Sequence, residues 1–333
     1  MNATTTLVTL TYGDRLNYLQ TLVSRSLASP QIARVIIVSN ASKSELNSLC
    51  LAWPDQVELI HLPSNTGSAN GYAVGIAAAL KGGAEYIWLM DDDNAPTINA
   101  IASLHRCLHQ REQLDGRDNA AVLGFRPSHQ ADIAAGVPKR FAIQKRSSYF
   151  GFHIAQLPYK LWRRLPWGRP RTRIDKQAPI QLPFATYGGL LAHRSLYEKI
   201  GLPLVELLLY ADDTEYTWRI TAGGGRIFLV TDALLDDLEE SWNVKSRTNN
   251  IYETYLLGNS DFRAYYAARN QAWFDKNIWV ASPSMYRLNR WLFMRLLRHF
   301  AKKNGTSQRL GLLEQAIRDG ESGQLGIHTA FPL

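Results

Sequence analysis

Asp91, Asp92 and Asp93 follow one another directly after the apolar run Ile87-Trp88-Leu89-Met90, with Asn94 next. Three carboxylates delivered to one point repel, and each resists ionising unless a cation compensates. On an extended chain alternate side chains share a side, which would turn Asp91 and Asp93 the same way. Two such carboxylates, with phosphate oxygens and water, make an oxygen-rich site for Mg²⁺ or Mn²⁺. The bland alternative is a solvated acidic turn capping the next helix. The buried character of the run that precedes the triplet favours the metal.

The same design recurs. Leu207-Leu208-Leu209-Tyr210-Ala211 leads into Asp212-Asp213-Thr214-Glu215, and Ala233-Leu234-Leu235 leads into Asp236-Asp237. A carboxylate beside another and partly buried has a raised pKa, which suits a general base taking a proton from a hydroxyl. The plainer reading is acid in a first helical turn, stabilised by the helix dipole. Three acidic clusters in a chain of net charge +8 are poorly explained by solubility, and convergence on one cation is the economical reading. Asn65-Thr66-Gly67-Ser68-Ala69-Asn70-Gly71 adds a loop whose glycines would let backbone approach a ligand, ahead of a helix start that favours anions. It matches neither GxxxxGK[ST] nor GxGxxG.

These residues need elements to hold them. Thr5–Thr11, Val35–Val38, Val57–Leu62 and Tyr86–Met90 read as strands, and Arg15–Leu27 and Gly71–Leu80 as helices. Strand and helix in this alternation predict an α/β fold, a mostly parallel sheet with helices on its faces. Ligands of such sheets bind outside the carboxyl ends of the strands, which puts Tyr12–Arg15, Ser39–Ser42 and Asp91–Asn94 together. A second α/β stretch runs from Leu182 to Leu238, and the chain from Tyr252 onward reads as helical. The expected division is a catalytic domain over 1–240, with a basic aromatic insertion at about 139–175, and a helical region over 241–333.

Composition narrows the classes. With 333 residues, 20% charged and 46% hydrophobic, the chain is neither disordered, collagenous nor a coiled coil. Cys50 and Cys107 cannot build a disulfide framework or a four-ligand zinc site, so a cytoplasmic protein is expected. No apolar run reaches the roughly 18 residues that span a bilayer, and Met1–Leu10 lacks the pattern of a signal peptide. The basic excess points to an anionic partner. Lys139–Arg173 holds ten Lys or Arg and no acid, interleaved with Tyr149, Phe150, Phe152, Tyr159, Trp162 and Trp167. Arg287–Arg309 holds seven Lys or Arg and no acid. A helical wheel sets Arg287, Arg290, Arg295, Arg298 and Lys302 against Leu288, Leu292, Leu296, Leu297 and Phe300, the pattern of a helix able to lie on anionic lipid or to dock on its own protein. His105 and His109 have metal-pair spacing but no third ligand, so a structural helix pair is expected.

With these segments assembled the chain resembles family 2 glycosyltransferases of the GT-A fold, in particular bacterial galactofuranosyl- and rhamnosyltransferases of surface polysaccharide synthesis. Five segments carry the resemblance: Val8–Tyr12, Asn65–Gly71, Asp91-Asp92-Asp93, Gly188-Gly189 with Asp212–Glu215 and Arg219, and Tyr265–Asn270. It implies that Asp91 and Asp93 are the metal ligands of a DxD motif, with Asp237 standing where the family often has a histidine. It implies that Asp92 lies by the donor ribose, and that Thr11, Tyr12, Asn40, Asn65 and Gly67 line the donor pocket. The family often has Asp before Asn40, where this chain has Ser39. Asp213 is the implied base, with Asp212, Glu215, Gly189 and Trp242 supporting it or meeting the acceptor. The implied reaction is metal-dependent inverting transfer from a UDP-sugar, best read as UDP-galactofuranose, to a lipid-linked glycan acceptor of an O-antigen, capsule or cell wall. The enzyme would sit on the inner face of the cytoplasmic membrane. dTDP-rhamnose is the alternative donor. From other classes, a nucleic-acid or anionic-lipid binding protein and a nucleotidyltransferase remain as readings, though neither nucleic acid nor pyrophosphate release is expected.

Overall fold

The computed structural model describes residues 4–168, 178–239, 250–258 and 260–333. In chain order it runs β1 (Thr5–Thr11), α1 (Leu16–Leu27), β2 (Ile32–Asn40), α2 (Asn47–Ala52), β3 (Val57–Leu62), α3 (Gly67–Lys81), β4 (Tyr86–Asp91) and β5 (Asn94–Pro96). Next come α4 (Ala100–Asp115), β6 (Ala120–Phe125), α5 (Ala131–Ala134), α6 (Lys139–Ala142), α7 (Leu157–Trp162), β7 (Ile180–Leu182), β8 (Leu190–His193), α8 (Arg194–Ile200), α9 (Asp212–Ala222) and β9 (Arg226–Asp237). The helices α10 (Ile251–Leu257), α11 (Asp261–Asn277), α12 (Pro283–Asn304) and α13 (Ser307–Ser322) follow. Two units result. Unit 1 is Met1–Gln130, Ile174–Leu208 and Asp212–Ser241; unit 2 is Ala131–Arg173, Leu209–Ala211 and Trp242–Leu333.

Unit 1 is built on a sheet of order β3-β2-β1-β4-β8-β6-β9-β5, with β7 also on β9. Its first four strands are parallel, as the strand–helix alternation predicts. The second half is mixed: β8 runs antiparallel to both β4 and β6, and β5 and β7 run antiparallel to β9. The runs Leu7-Val8, Val35–Val38, Ile87–Met90 and Ala120–Leu123 are almost wholly buried, because helices cover both faces of a parallel sheet. Register decides which loops meet. Leu10 pairs with Asp91 and Thr11 with Ser39, so the ends of β1, β2 and β4 share one edge.

Helix α3 shows why its sequence is rich in glycine and alanine. A Cβ at Gly71 would collide with Leu10, and one at Gly75 with Val8. The helix lies so close to the sheet that larger residues have no room. Gly67, at φ +83°, abuts the carbonyl of Leu208. The glycines that the sequence reading assigned to ligand approach thus serve approach between elements of the protein itself.

In unit 2 the basic stretch packs with the C-terminal helices, where the sequence reading made it an insertion of the first domain. Ser147 N–H donates to Trp279 O (2.8 Å), Phe150 N–H to Asp275 Oδ2 (2.6 Å), and Asn289 Nδ2 to Ser147 O (2.8 Å). Arg169, Arg171 and Arg173 lie outside the described residues. Helix α12 buries Tyr286, Asn289, Phe293, Met294, Leu297 and Ala301. Leu288, which the wheel set on the apolar side, is exposed, and Arg290 is turned towards Glu321, with Nε and Nη2 both donating to its carboxylate. The buried seam is rotated from the predicted one because Asn289 lies inside it, its amide satisfied by backbone. Among the described residues no helix is long and apolar enough to cross a membrane.

Candidate active site

Strand β4 ends at Asp91, and Asp92-Asp93 form a tight turn before β5 pairs with β9. Although the chain turns here, the alternation expected of an extended chain persists in burial. Asp92 points inward and is 5% exposed, while Asp91 and Asp93 keep access to solvent. Arg15 Nε lies 3.4 Å from Asp92 Oδ2, and its Nη2 reaches Asp93 Oδ2 at 3.4 Å and also Glu239. Burial pushes Asp92 up to about 7, against the opposing pull of Arg15 and the Thr11 hydroxyl. Burial and the charge of Asp91 push Asp93 up to about 6.

Arg126, one residue beyond β6, joins the first and third acidic clusters. It is 4% exposed; Nη1 donates to Asp91 Oδ2 at 2.8 Å and Nε to Asp237 Oδ1 at 2.8 Å. Its Nη2 lies 2.9 Å from His129 Nε2. Asp237, expected as the third metal ligand, has both oxygens engaged: Oδ1 accepts from Arg126 and Asn94, Oδ2 from Ser128. Asp236, on the other side of the strand, pairs with Arg25 at 2.7 Å near the surface.

Asp212 and Asp213 open α9, but no strand delivers them. A 3₁₀ turn at Val205–Leu207 is followed by left-handed backbone at Leu208, Tyr210 and Ala211, with φ between 59° and 65°. Leu208 O accepts from Ala69 N–H (3.0 Å), and Asp212 Oδ2 from Ser68 Oγ (2.8 Å), which fastens this acidic cluster to the start of α3. Asp212 is buried, and burial with the charge of Asp213 pushes it up to about 8. Asp213 is less enclosed. Its Oδ1 accepts from Thr214 N–H (2.6 Å) and Oγ1–H (3.2 Å). Burial is the main cause that pushes Asp213 up to about 6, and the charge of Asp91 adds to it. The first and second clusters therefore share one electrostatic neighbourhood.

Two tyrosines span that neighbourhood. Tyr72 Oη donates to Asp91 Oδ1 (3.0 Å), and its ring lies 4.1 Å, centroid to centroid, from that of Tyr187. Tyr187 is buried, its hydroxyl has no hydrogen-bond partner among the described residues, and burial together with Asp212 and Asp213 raises its pKa well above the usual value. Gly188 completes the floor: a Cβ there would collide with Asp91 Oδ2 and lie 2.9 Å from Asn94 Oδ1.

The other expected residues divide. Thr11 is buried beside Asp92, and Tyr12 is 43% exposed with Arg15 5.2 Å from its ring centroid. Asn40 is engaged in bracing: Nδ2 donates to Asn65 Oδ1 (2.8 Å), and Oδ1 accepts from Thr66 N–H (2.8 Å). Glu215 is held by Arg219 at 2.7 Å through both oxygens, an i,i+4 pair. Gly189, at φ +102°, packs against Leu235 and Gly124. Trp242 lies outside the described residues. Sequence reasoning named Arg15 and Ser68 only as members of the loops Tyr12–Arg15 and Asn65–Gly71, and gave Arg126, Tyr72 and Tyr187 no role. Arg126 carried a usable signal, since it follows an apolar strand as the acidic triplet does; Tyr72 and Tyr187 carried none.

Arg15 and Arg126 face Asp91, Asp92, Asp93, Asp237 and Glu239, so carboxylates outnumber guanidinium groups. Such an excess of hard oxygen donors suits a divalent cation, and Mg²⁺ commonly takes one or two carboxylates with substrate phosphates completing its shell. Among the described residues no three His, Cys, Asp or Glu side chains form a ready cage. The residues present thus fit a cation shared with phosphate through Asp91 and Asp93, and do not fit a protein-only cage with Asp237.

Known proteins are similar to the chain at the level of family and fold. The chain matches Glycosyl transferase family 2 over residues 6–201. It is 25% identical over 193 residues to galactofuranosyltransferase GlfT1 of Mycolicibacterium smegmatis, covering 57% of this chain and 56% of the relative. Against galactofuranosyltransferase GlfT1 of Mycobacterium tuberculosis it is 24% identical over 196 residues, covering 57% and 55%. The match spans about half the length of these relatives. Among solved structures, GalNAc-T7 with UDP, GalNAc and Mn²⁺ aligns at TM-score 0.53 and 14% identity, over 96% of this chain and 57% of that one. Mannosyltransferase PcManGT from Pyrobaculum calidifontis, in complex with GDP-Man and Mn²⁺, aligns at 0.50 and 13%, over 96% and 75%. Unit 1 has the mixed α/β sheet with flanking helices of these GT-A glycosyltransferases.

Proposed function

The chain belongs to glycosyl transferase family 2, and from that premise we propose that it transfers a sugar from a nucleotide-sugar to a hydroxyl of a glycan, with inversion. The observation that carries the reading is that α3 ties the two acidic clusters together: Ser68 Oγ donates to Asp212 Oδ2 (2.8 Å), and one turn further on Tyr72 Oη donates to Asp91 Oδ1 (3.0 Å). A leaving-group site and a proton acceptor are what displacement at an anomeric carbon requires.

Asp213 is the base. It is raised towards neutrality yet ionised at pH 7, and the two bonds from Thr214 to Oδ1 leave Oδ2 for an acceptor hydroxyl. Asp212, held by Ser68, stays protonated at pH 7 and limits like-charge repulsion at that point. Tyr187, buried with its ring against Tyr72, backs the two clusters from within the protein. Tyr12 and Asp92 line the nucleotide pocket, with Thr11 buried behind Asp92 and Asn40 and Asn65 bracing the wall. A divalent cation, Mn²⁺ or Mg²⁺, held by Asp91 and Asp93 would supply charge neutralisation of the departing diphosphate. Arg126 keeps Asp91 and Asp237 in place for it.

The relatives' name favours galactofuranose as the sugar; UDP as its carrier and a lipid-linked bacterial glycan as the acceptor complete the reading we propose. The test is a panel of nucleotide-sugars with the purified chain, following nucleoside diphosphate release with Mn²⁺ and with chelator. Consumption of UDP-galactofuranose is the expected result. Preference for dTDP-rhamnose would correct the donor; pyrophosphate release, or no turnover with any sugar donor, would remove the reading.

A further inference from the structure

Unit 2 exposes large apolar side chains beside cations in two segments. Leu161, Trp162, Leu165 and Trp167, in and after α7, and Leu288 and Trp291, on α12, are 40% to 65% exposed. Water-facing indoles and leucines in such number are costly unless something covers them. Cations sit among them: Arg164 next to Leu165, then Arg287, Arg295 and Lys302 on the outward face of α12. None of these four makes an ion pair among the described residues, and Arg295 lies 5.7 Å from the Trp291 ring centroid. Helix α12 contains no Asp or Glu in its 22 residues. Its opposite face is buried, so the outward stripe Arg287-Leu288-Trp291-Arg295-Arg298-Lys302 is what it offers to a partner. The two segments hang on one frame. Asn289, buried next to Leu288, accepts from Ile154 N–H at 3.0 Å, three residues before α7 begins.

We propose that this face docks on an anionic bilayer. Trp162, Trp167, Trp291 and Leu288 enter the headgroup layer, while Arg164, Arg287, Arg295 and Lys302 meet lipid phosphates. The composition chooses lipid over nucleic acid. Indoles alone would serve base stacking, but exposed leucines have no partner on a nucleic acid, whereas Trp and Leu flanked by Lys and Arg are what the bilayer interface accepts. The proposal rests on unit 2 and is independent of the glycosyl-transfer reading, so each can fail without the other.

The test uses the full chain and sucrose-loaded vesicles of phosphatidylcholine with and without phosphatidylglycerol. Sedimentation with anionic vesicles, weakened by salt, is expected. Arg287→Gln with Arg295→Gln should lower partitioning roughly 25-fold, at about fivefold for each cation removed from an anionic surface. Trp167→Ala with Trp291→Ala should weaken the binding that survives high salt. All four side chains are exposed, and unchanged melting temperatures would verify the fold. The proposal is overturned if the wild-type chain stays in solution with anionic vesicles at low salt, or if both variants sediment like wild type. It is equally overturned if single-stranded DNA binds more tightly than vesicles and loses affinity in the same variants.

Discussion

Asp213→Asn separates a proton acceptor from a merely structural acid, because the amide oxygen can still accept from Thr214 N–H and Oγ1–H as Oδ1 does. The start of α9 should keep its shape, and only the ability to take a proton is lost. General-base catalysis contributes roughly 10²–10⁴-fold, about 3–5 kcal/mol of barrier, and the variant should lose that much. The wild-type pH profile carries the second half of the test. Asp213 is pushed up to about 6, first by burial and then by Asp91, and it acts only when ionised. Above pH 7 it is almost wholly ionised; at pH 5 only about a tenth is, so kcat/KM should fall about tenfold per unit below 6. Diphosphate release measured from pH 4.5 to 8.5, about two units to either side of that value, should show this acid limb in the wild type and a shallower one in Asp213→Asn, where Asp93, also pushed up to about 6, still titrates. A wild-type limb centred near the ordinary carboxylate value, or a variant within about threefold of wild type, would refute the assignment.

Arg126→Ala should leave Asp91 and Asp237 without their shared cation, costing about 3–5 kcal/mol in chemical denaturation. Added Mn²⁺ should recover part of that loss; full stability without metal would show the guanidinium to be dispensable. Gly188→Ala places a methyl against Asp91 Oδ2 and Asn94 Oδ1. A cost of roughly 1–3 kcal/mol should appear mainly as weaker donor binding by calorimetry, and an unchanged affinity would clear Gly188 of a role in shaping the site. Asp92 and Asp212, folded values about 7 and 8, hold protons that the unfolded chain releases near 4. The stability they contribute is complete below pH 4 and lost as pH rises through 7–8. Buried His105, pulled down to about 4, acts in the other direction only below about 6.5. Melting temperature should therefore fall between pH 6.5 and 8.5, and less so in Asp212→Asn; equal slopes would contradict this. Tyr187→Phe removes a buried hydroxyl that has no partner among the described residues, so melting temperature and kcat should both hold, and a clear fall in either would show that the hydroxyl is used.

The parallel half of the sheet was readable because buried strands announce themselves as unbroken apolar runs, and each such run here is a strand. Asp91 stands out for a related reason, since charge directly after a buried apolar run marks the place where the chain leaves the core. The run before Asp213 gives no such guide: it forms no strand, and Tyr210 within it is exposed while Asp212 is buried. Wheel reasoning on α12 found a cationic helix but put Leu288 on the wrong side, because it took every leucine as inward and could not know that backbone would satisfy Asn289.

Residue type and order thus determined the alternating elements, the acidic clusters and the basic surface segments, since all of these are local. Which opposite charges meet is not local. Arg126 reaches Asp91 across 35 positions and Asp237 across 111, and Arg15 reaches Asp93 across 78. Pairing at that range depends on strand order and register. A sheet that runs β1-β4-β8-β6-β9 brings the ends of β4, β6 and β9 to one edge, and only the folded chain could decide that a guanidinium stands between Asp91 and Asp237.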